Sequence, residues 1–433
     1  MPIQALEILE SLVIPGSETL DLRDPATVAA RLTAPVGAKH AAAVDVLAPL
    51  IARACIGVCP ANPANFNVDN VRVVKIAGGS PADSTAVPGL ALKRGVEGAV
   101  KGVSDAKVAV YAQGFDTTGP ETKGTVLLRS GAELEAYSRQ EEDAVAALVD
   151  AVAAAGVKAV IAGGAFGEVA LHFLDKAGIL ALRVPSKFDL RRLCRATGAT
   201  ALARVGAPTP AEVGYAATVG VGEVGSAKIV RVAQGADTGG SGGSDGVPAA
   251  AAAPVTTLIL RGATDALLDE LERAVDAGVN AFKALGRDAR ALPAGGAAEA
   301  EVAARLRCAA EKAPGLAAYS IRAFAAALDV VPRTLAENAG LDATAVVAAL
   351  AAAHTAGAGE AAASRLGLDL ATGAPTDLSA STPPLTDLFS ARWWGVKLAA
   401  DAASTVLRVD QIIMAKAAGG PKAPAGGGDW DED

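Results

Sequence analysis

Residues 66–81 read FNVDNVRVVKIAGGSP, and the reading of this stretch decides the fold. β-Branched residues dominate from Phe66 to Ile76, and the Gly78-Gly79-Ser80-Pro81 breaker stops the run. That pattern predicts a strand leaving one domain for another, with a hinge at 78–81. Upstream, residues 26–59 read as helical, with Val28, Leu32, Val44, Leu47, Leu50 and Ile51 apolar among alanine-rich turns. Downstream, residues 105–262 alternate strands with helices. DAKVAVYA, GTVLL, VKAVIAG and ILALRV are the strands; the helices are a long one from about Ala132 to Ala155, then GEVALHFLDKAG and SKFDLRRLCRATGA. Such alternation is the mark of an α/β layer fold. The glycine- and alanine-rich run at 237–254 interrupts it as a flexible insertion, and the strand VTTLILRG follows.

From Thr264 onward the pattern is helical. Leu267, Leu268, Leu271, Val275, Val279, Phe282 and Leu285 form one stripe at helical spacing, with Thr264 or Asp265 as N-cap. Further helices are expected at about 298–313, 316–329, 333–339, 344–355 and 391–407. TVLRVDQIIMAK turns β-branched and reads as a strand, and the tail AAGGPKAPAGGGDWDED reads as disordered. The expected fold class is mixed α/β and multidomain, with an α/β module inserted between helical flanks.

The composition limits what such a protein does. The chain has 433 residues, 51% of them apolar, enough to bury a core in each domain. Its 39 Lys+Arg against 47 Asp+Glu give −8, which argues against general affinity for nucleic acid or an anionic membrane. Aromatic residues are 3%, too sparse for extended stacking platforms. Cys55, Cys59, Cys194 and Cys308 are too scattered for a disulfide framework, so a reducing, cytosolic compartment is expected. The N-terminus lacks a basic region and carries Glu7 and Glu10 in its apolar stretch, unlike a signal peptide. No apolar run reaches the length that spans a bilayer.

Short motifs are weaker. Gly239–Gly243 satisfies G-x-S-x-G without the strand and helix that a nucleophile elbow needs. Gly163-Gly164-Ala165-Phe166-Gly167 lies between a strand and a helix, where backbone amides can face a phosphate; it supports an alternative reading as a small-molecule α/β enzyme. No P-loop motif exists, and His40, His172 and His354 are too far apart in sequence to suggest a histidine metal site. Cys55 and Cys59 read as buried helical thiols. The helix from Ser186 to Ala199 carries Lys187, Asp189, Arg191, Arg192 and Arg195, a basic face suited to an acidic or polar polypeptide or simply to water.

Several stretches together, FNVDNVRVVKI, ETKGTVLL, SKFDLRRLCRATGATAL, TLILRGATDALLDELERAVDAGVNAFKAL, LAEN and VLRVDQIIMAK, resemble the group II chaperonin family of the eukaryotic cytosolic chaperonin TRiC. The resemblance implies an equatorial domain of helices, an intermediate hinge domain and an inserted apical domain. It divides the chain into 1–21 (equatorial remnant), 22–80 and 255–290 (intermediate), 81–254 (apical), 291–416 (equatorial) and a tail at 417–433. It implies an ATP-driven, hetero-oligomeric double ring that folds clients such as actin and tubulin, with Mg2+ beside the nucleotide. Gly295 and Gly296 match the glycine loop against the nucleotide, and Asp387 the acid at its ribose. Lys187, Arg191, Arg192 and Arg195 match the apical helix facing the chamber. The long helix from Ala132 resembles the protrusion that closes it, though Ala144, Val145, Leu148 and Val152 equally suit an ordinary amphipathic helix.

Two departures stand out. The Gly-Asp-Gly-Thr phosphate loop is absent, so the resemblance implies an N-terminally truncated chain. The register of the hydrolytic aspartate falls on Ala277, with Asp276 one residue earlier, and one residue rotates a helical side chain by about 100°. A non-hydrolysing scaffold or binding subunit is the alternative this leaves.

Overall fold

The computed structural model describes residues 2–116, 130–233, 255–356 and 362–414. The chain opens with helices α1 (Pro2–Ser11), α2 (Pro25–Gly37) and α3 (Val44–Gly57), then strand β1 (Val71–Ala77). The strand starts later than the β-branched run suggests. Asn67, Asp69 and Asn70 form a polar 3-10 turn, in which the Asn67 side chain accepts from the Asp69 amide, and this local bond displaces extended backbone.

Strands β2 (Thr85–Pro88) and β3 (Leu90–Leu92) lead into the inserted module. It runs β4 (Gly102–Tyr111), α4 (Gly131–Ala154), β5 (Val157–Ala162), α5 (Glu168–Lys176), β6 (Leu180–Arg183), α6 (Lys187–Thr197), β7 (Ala201–Leu202), β8 (Gly214–Val224) and β9 (Ala227–Ala233). Its sheet has the order β3-β9-β8-β4-β5-β6, with β7 on β4; β4, β5 and β6 are parallel, and β3, β8 and β9 pair antiparallel.

Successive residues feed opposite faces of this sheet. Val108, Val110, Ile161 and Leu182 pack under α6, whereas Ala109, Tyr111, Val160 and Ala181 pack under α4 and α5. Val145 and Val152 of α4 are buried in the second core and Leu148 packs on it. These three positions therefore serve the sheet, the amphipathic-helix role open to them, while Ala144 is exposed. The β8–β9 hairpin, turned by Gly225-Ser226 with Gly225 at φ +61°, was not anticipated. The expected GTVLL strand and the 237–254 insertion lie outside the described residues.

Strand β10 (Thr256–Gly262) then returns to the first unit, pairing parallel to β1 along its whole length and antiparallel to β2. Helix α7 (Asp265–Leu285) follows, its first turn capped by Thr264, whose side chain accepts from the Leu267 amide. One core joins residues on both sides of the insertion: Val28, Leu32, Leu47 and Ile51 meet Leu258, Leu271, Val275 and Phe282. Phe66 stacks edge-on against Phe282, with centroids 4.9 Å apart.

The remainder is β11 (Ala291–Pro293), α8 (Ala297–Lys312), α9 (Ala317–Leu328), α10 (Val330–Asn338), α11 (Ala343–Ala356), β12 (Leu366–Leu368), β13 (Pro375–Asp377), β14 (Thr386–Leu388) and α12 (Phe389–Leu407). Its core again draws on both chain ends, with Ala5 and Leu9 of α1 against Leu292, Val302, Leu306 and Phe389. The strand expected in TVLRVDQIIMAK is not formed over its described residues. α12 carries the helix through Leu407, and Val409–Met414 is exposed without regular structure. β-Branched residues favour a strand only where a partner edge is at hand, and no described strand lies beside them.

Candidate functional site

The glycine pair sits between β11 and α8. Gly295 and Gly296 have φ of +69° and +75°, a conformation that costs a side chain dearly, and a Cβ on Gly295 would lie 2.5 Å from Leu378 Cδ1. The Leu368 amide donates to the Gly295 carbonyl and fixes the turn. Across the antiparallel β11–β14 ladder, Leu292 faces Asp387 and Pro293 faces Thr386. The fold thus brings together the glycine loop and the acid, some ninety positions apart in sequence.

Arg392, one turn into α12, holds this acid. Its Nε and Nη2 donate to Asp387 Oδ2 at 3.0 and 2.6 Å, and its Nη1 lies 3.0 Å from Glu299 Oε1. Burial opposes the guanidinium charge, but Glu299 and Asp387 outweigh it and raise the Arg392 pKa. Glu299, 5% exposed at the third position of α8, has its carboxyl raised by burial against the pull of Arg392, and its Oε2 has no partner. From the neighbouring unit, Arg31 Nη1 on α2 donates to Thr386 Oγ1 at 3.1 Å. Glu299 and Arg392 were not singled out from sequence; acids inside the alanine run AAEAEVAA were the available signal.

These residues fit a nucleotide. Glycine backbone lets a flat base approach closely, and the clamp on Asp387 engages Oδ2 and leaves the other oxygen to accept a hydroxyl. Asp276 lies elsewhere. Burial and the neighbouring Glu272 raise its carboxyl against the pull of Arg72 on β1. Ala277 is half-buried and carries no acid.

The basic face of α6 divides in two. Lys187 and Arg191 are exposed, with Phe188 between them at 74% exposure. Arg192 Nε instead donates to the Asp69 carbonyl and its Nη1 pairs with Asp189, while Arg195 Nη1 donates to Asn70 Oδ1 at 2.7 Å. Arg192 and Arg195 therefore tie the inserted module to the turn before β1 in this conformation. Phe188 went unremarked in the sequence, although an aromatic between two cations on a polar face was the cue.

Gly163 and Gly164 are accounted for by packing. A Cβ on Gly163 would meet the Ala112 carbonyl at 2.3 Å and one on Gly164 the Gly114 amide at 2.6 Å, while the Gly167 amide donates to the Phe115 carbonyl. The close approach of the 112–116 segment accounts for these glycines by packing alone. Cys55 and Cys59 are buried free thiols, both raised by burial. Among the described residues no helix is long and apolar enough to cross a membrane.

Helical units toward both chain ends, a core shared by two chain segments and an inserted α/β module with an exposed mixed face define a chaperonin subunit, a protein that assists the folding of others. The chain belongs to the TCP-1/cpn60 chaperonin family, whose model matches residues 3–417. It is 45% identical over 433 residues to a T-complex protein 1 subunit theta of Arabidopsis thaliana, covering 99% of this chain and 75% of that protein. The theta subunit of Homo sapiens is 42% identical over 430 residues, covering 99% and 74%. An open-state monomer of a group II chaperonin from Methanococcoides burtonii superposes with a TM-score of 0.65 at 24% identity, covering 94% of this chain and 90% of that one.

Proposed function

We propose that the chain works in the cytosol as a theta-type subunit of a hetero-oligomeric double ring, beside other chaperonin subunits, and holds non-native clients such as actin and tubulin. In this reading 1–21 and 291–416 form the equatorial domain, 22–80 and 255–290 the intermediate domain and 81–254 the apical domain. ATP with Mg2+ would lie at Gly295, Gly296 and Asp387, and turnover in the ring's other subunits would supply the free energy of the cycle. The chain's own residues orient it: Arg392 fixes the Asp387 carboxylate and the glycine turn admits the base. Neither Ala277 nor Asp276 is suited to position an attacking water, so this subunit contributes nucleotide binding and client surface rather than hydrolysis. The turn at Gly78-Gly79, with φ of +95° and +84°, would let the apical domain swing on the sheet of β1, β10 and β2.

The observation that carries this reading is the exposed Lys187–Phe188–Arg191 face on a helix whose other side is locked into the sheet core. Such a face offers an unfolded chain both apolar area and charge. The double variant Lys187→Glu, Arg191→Glu in the assembled ring is expected to retain chemically denatured actin several-fold less well, with ring assembly unchanged by native gel. Undiminished retention would contradict the assignment.

A further inference from the structure

We propose that the groove where the hinge sheet meets the inserted module is a binding site for a small phosphorylated anion, built from Lys93, Arg94 and Lys228. The groove has a volume of about 360 Å³ and lies between the end of β1 at Ile76-Ala77, the residues after β3 and the β8–β9 turn. A second groove of about 520 Å³ shares Lys93 and Arg94 with it.

The two grooves differ in how their charges are met. In the larger one Arg72 pairs with Asp189 at 3.3 Å, and Lys75 with Asp269 and Glu272 at 2.6 and 2.7 Å. In the smaller one no described carboxylate forms an ion pair with Lys93, Arg94 or Lys228, and Arg94 Nη1 donates to a neutral acceptor, the Arg183 carbonyl, at 3.2 Å. Glu223 stands opposite Lys228 in the β8–β9 ladder without forming an ion pair with it. Among the nearby strands, Arg231 on β9, opposite Ala91, adds charge of the same sign and buries an Nε that has no hydrogen-bond partner, whereas Arg183 on β6 is met by Glu97, 3.9 Å from its Nη1. Lys228 is held over the groove, its Cδ 3.8 Å from where a Cβ of Gly95 would sit.

Clustered cations repel unless an anion joins them. The chemistry favours phosphate over an acidic peptide. Two ammonium groups, a guanidinium fork and the Ser226 hydroxyl supply donors, while Ile76, Ala77 and Ala227 offer no pocket for side-chain anchors. Because the lining comes from both sides of the Gly78-Gly79 turn, a bound anion would hold the inserted module to the hinge sheet and favour one hinge angle.

The test is calorimetric titration of the full chain with inorganic pyrophosphate at low salt. Saturable binding is expected, weakened at least about tenfold in the Lys93→Ala, Lys228→Ala variant, the equivalent of about 1.4 kcal/mol. The Lys93→Arg, Lys228→Arg variant is expected to keep it. Both lysines are on the surface, and an unchanged melting temperature without ligand checks that the fold survives. Absence of saturable binding, equal binding by the alanine variant, or preference for an oligo-aspartate peptide over pyrophosphate would overturn the proposal.

Discussion

Phe282→Ala is expected to lower the unfolding free energy by about 3–5 kcal/mol, measured by urea denaturation followed by circular dichroism. The ring is fully buried on α7 and meets Phe66, which the insertion separates from it by more than two hundred positions. Truncation leaves a cavity bounded by α2, α3 and α7, which are held by β1–β10 pairing and cannot collapse freely onto it. A cycle of Phe66→Leu and Phe282→Leu is expected to show about 0.5–1.5 kcal/mol of coupling. A loss below about 1 kcal/mol for Phe282→Ala would mean that the two chain segments do not share one core.

His354→Leu is expected to cost about 3–5 kcal/mol by the same measurement. The imidazole is fully buried on α11. Its Nε2 donates to the Leu366 carbonyl at 2.9 Å and its Nδ1 lies 2.7 Å from Glu301 Oε2. Leucine removes both partners, orphaning a buried carbonyl and leaving Glu301, 3% exposed, to Arg305 Nε at 2.7 Å. Glu301→Gln keeps an acceptor for the ring and is expected to cost less. Burial would raise the Glu301 carboxyl, yet hydrogen bonds from His354 and Arg305 hold it below its ordinary value. A depressed carboxylate stabilises the fold above its unfolded value, about 4.3, and that contribution fades as pH falls through the folded value. The acid-side loss of stability is therefore expected to shrink in His354→Leu. Identical acid profiles would contradict the role given to this pair.

Periodicity made the large elements legible. The α7 stripe, the alternation from β4 to α6 and the turn at Gly78-Gly79 all follow from local spacing, and so does the insertion that separates two halves of one core. The misses share a cause. The β8–β9 hairpin and the three-residue strands β11 and β14 are set by pairing between segments rather than by their own composition, and the 405–414 run has strand propensity without a strand partner. The site was legible only in pieces. The resemblance pointed to Gly295, Gly296 and Asp387, but Arg392 and Glu299 join it through a three-membered ion network that no local pattern encodes. Arg192 and Arg195 look like Lys187 and Arg191 in sequence. Only tertiary packing turns the first pair toward Asp69 and Asn70.

The central claim is that β11, β14 and the α8 N-terminus form one nucleotide site inside a shared helical base. Hydrogen exchange of the assembled complex with and without ATP tests it most directly, because exchange reports each segment separately. The account predicts that amides at 294–299 and 386–389 gain protection together while those at 163–167 do not change. Protection confined to 163–167, or absent from both 294–299 and 386–389, would contradict it.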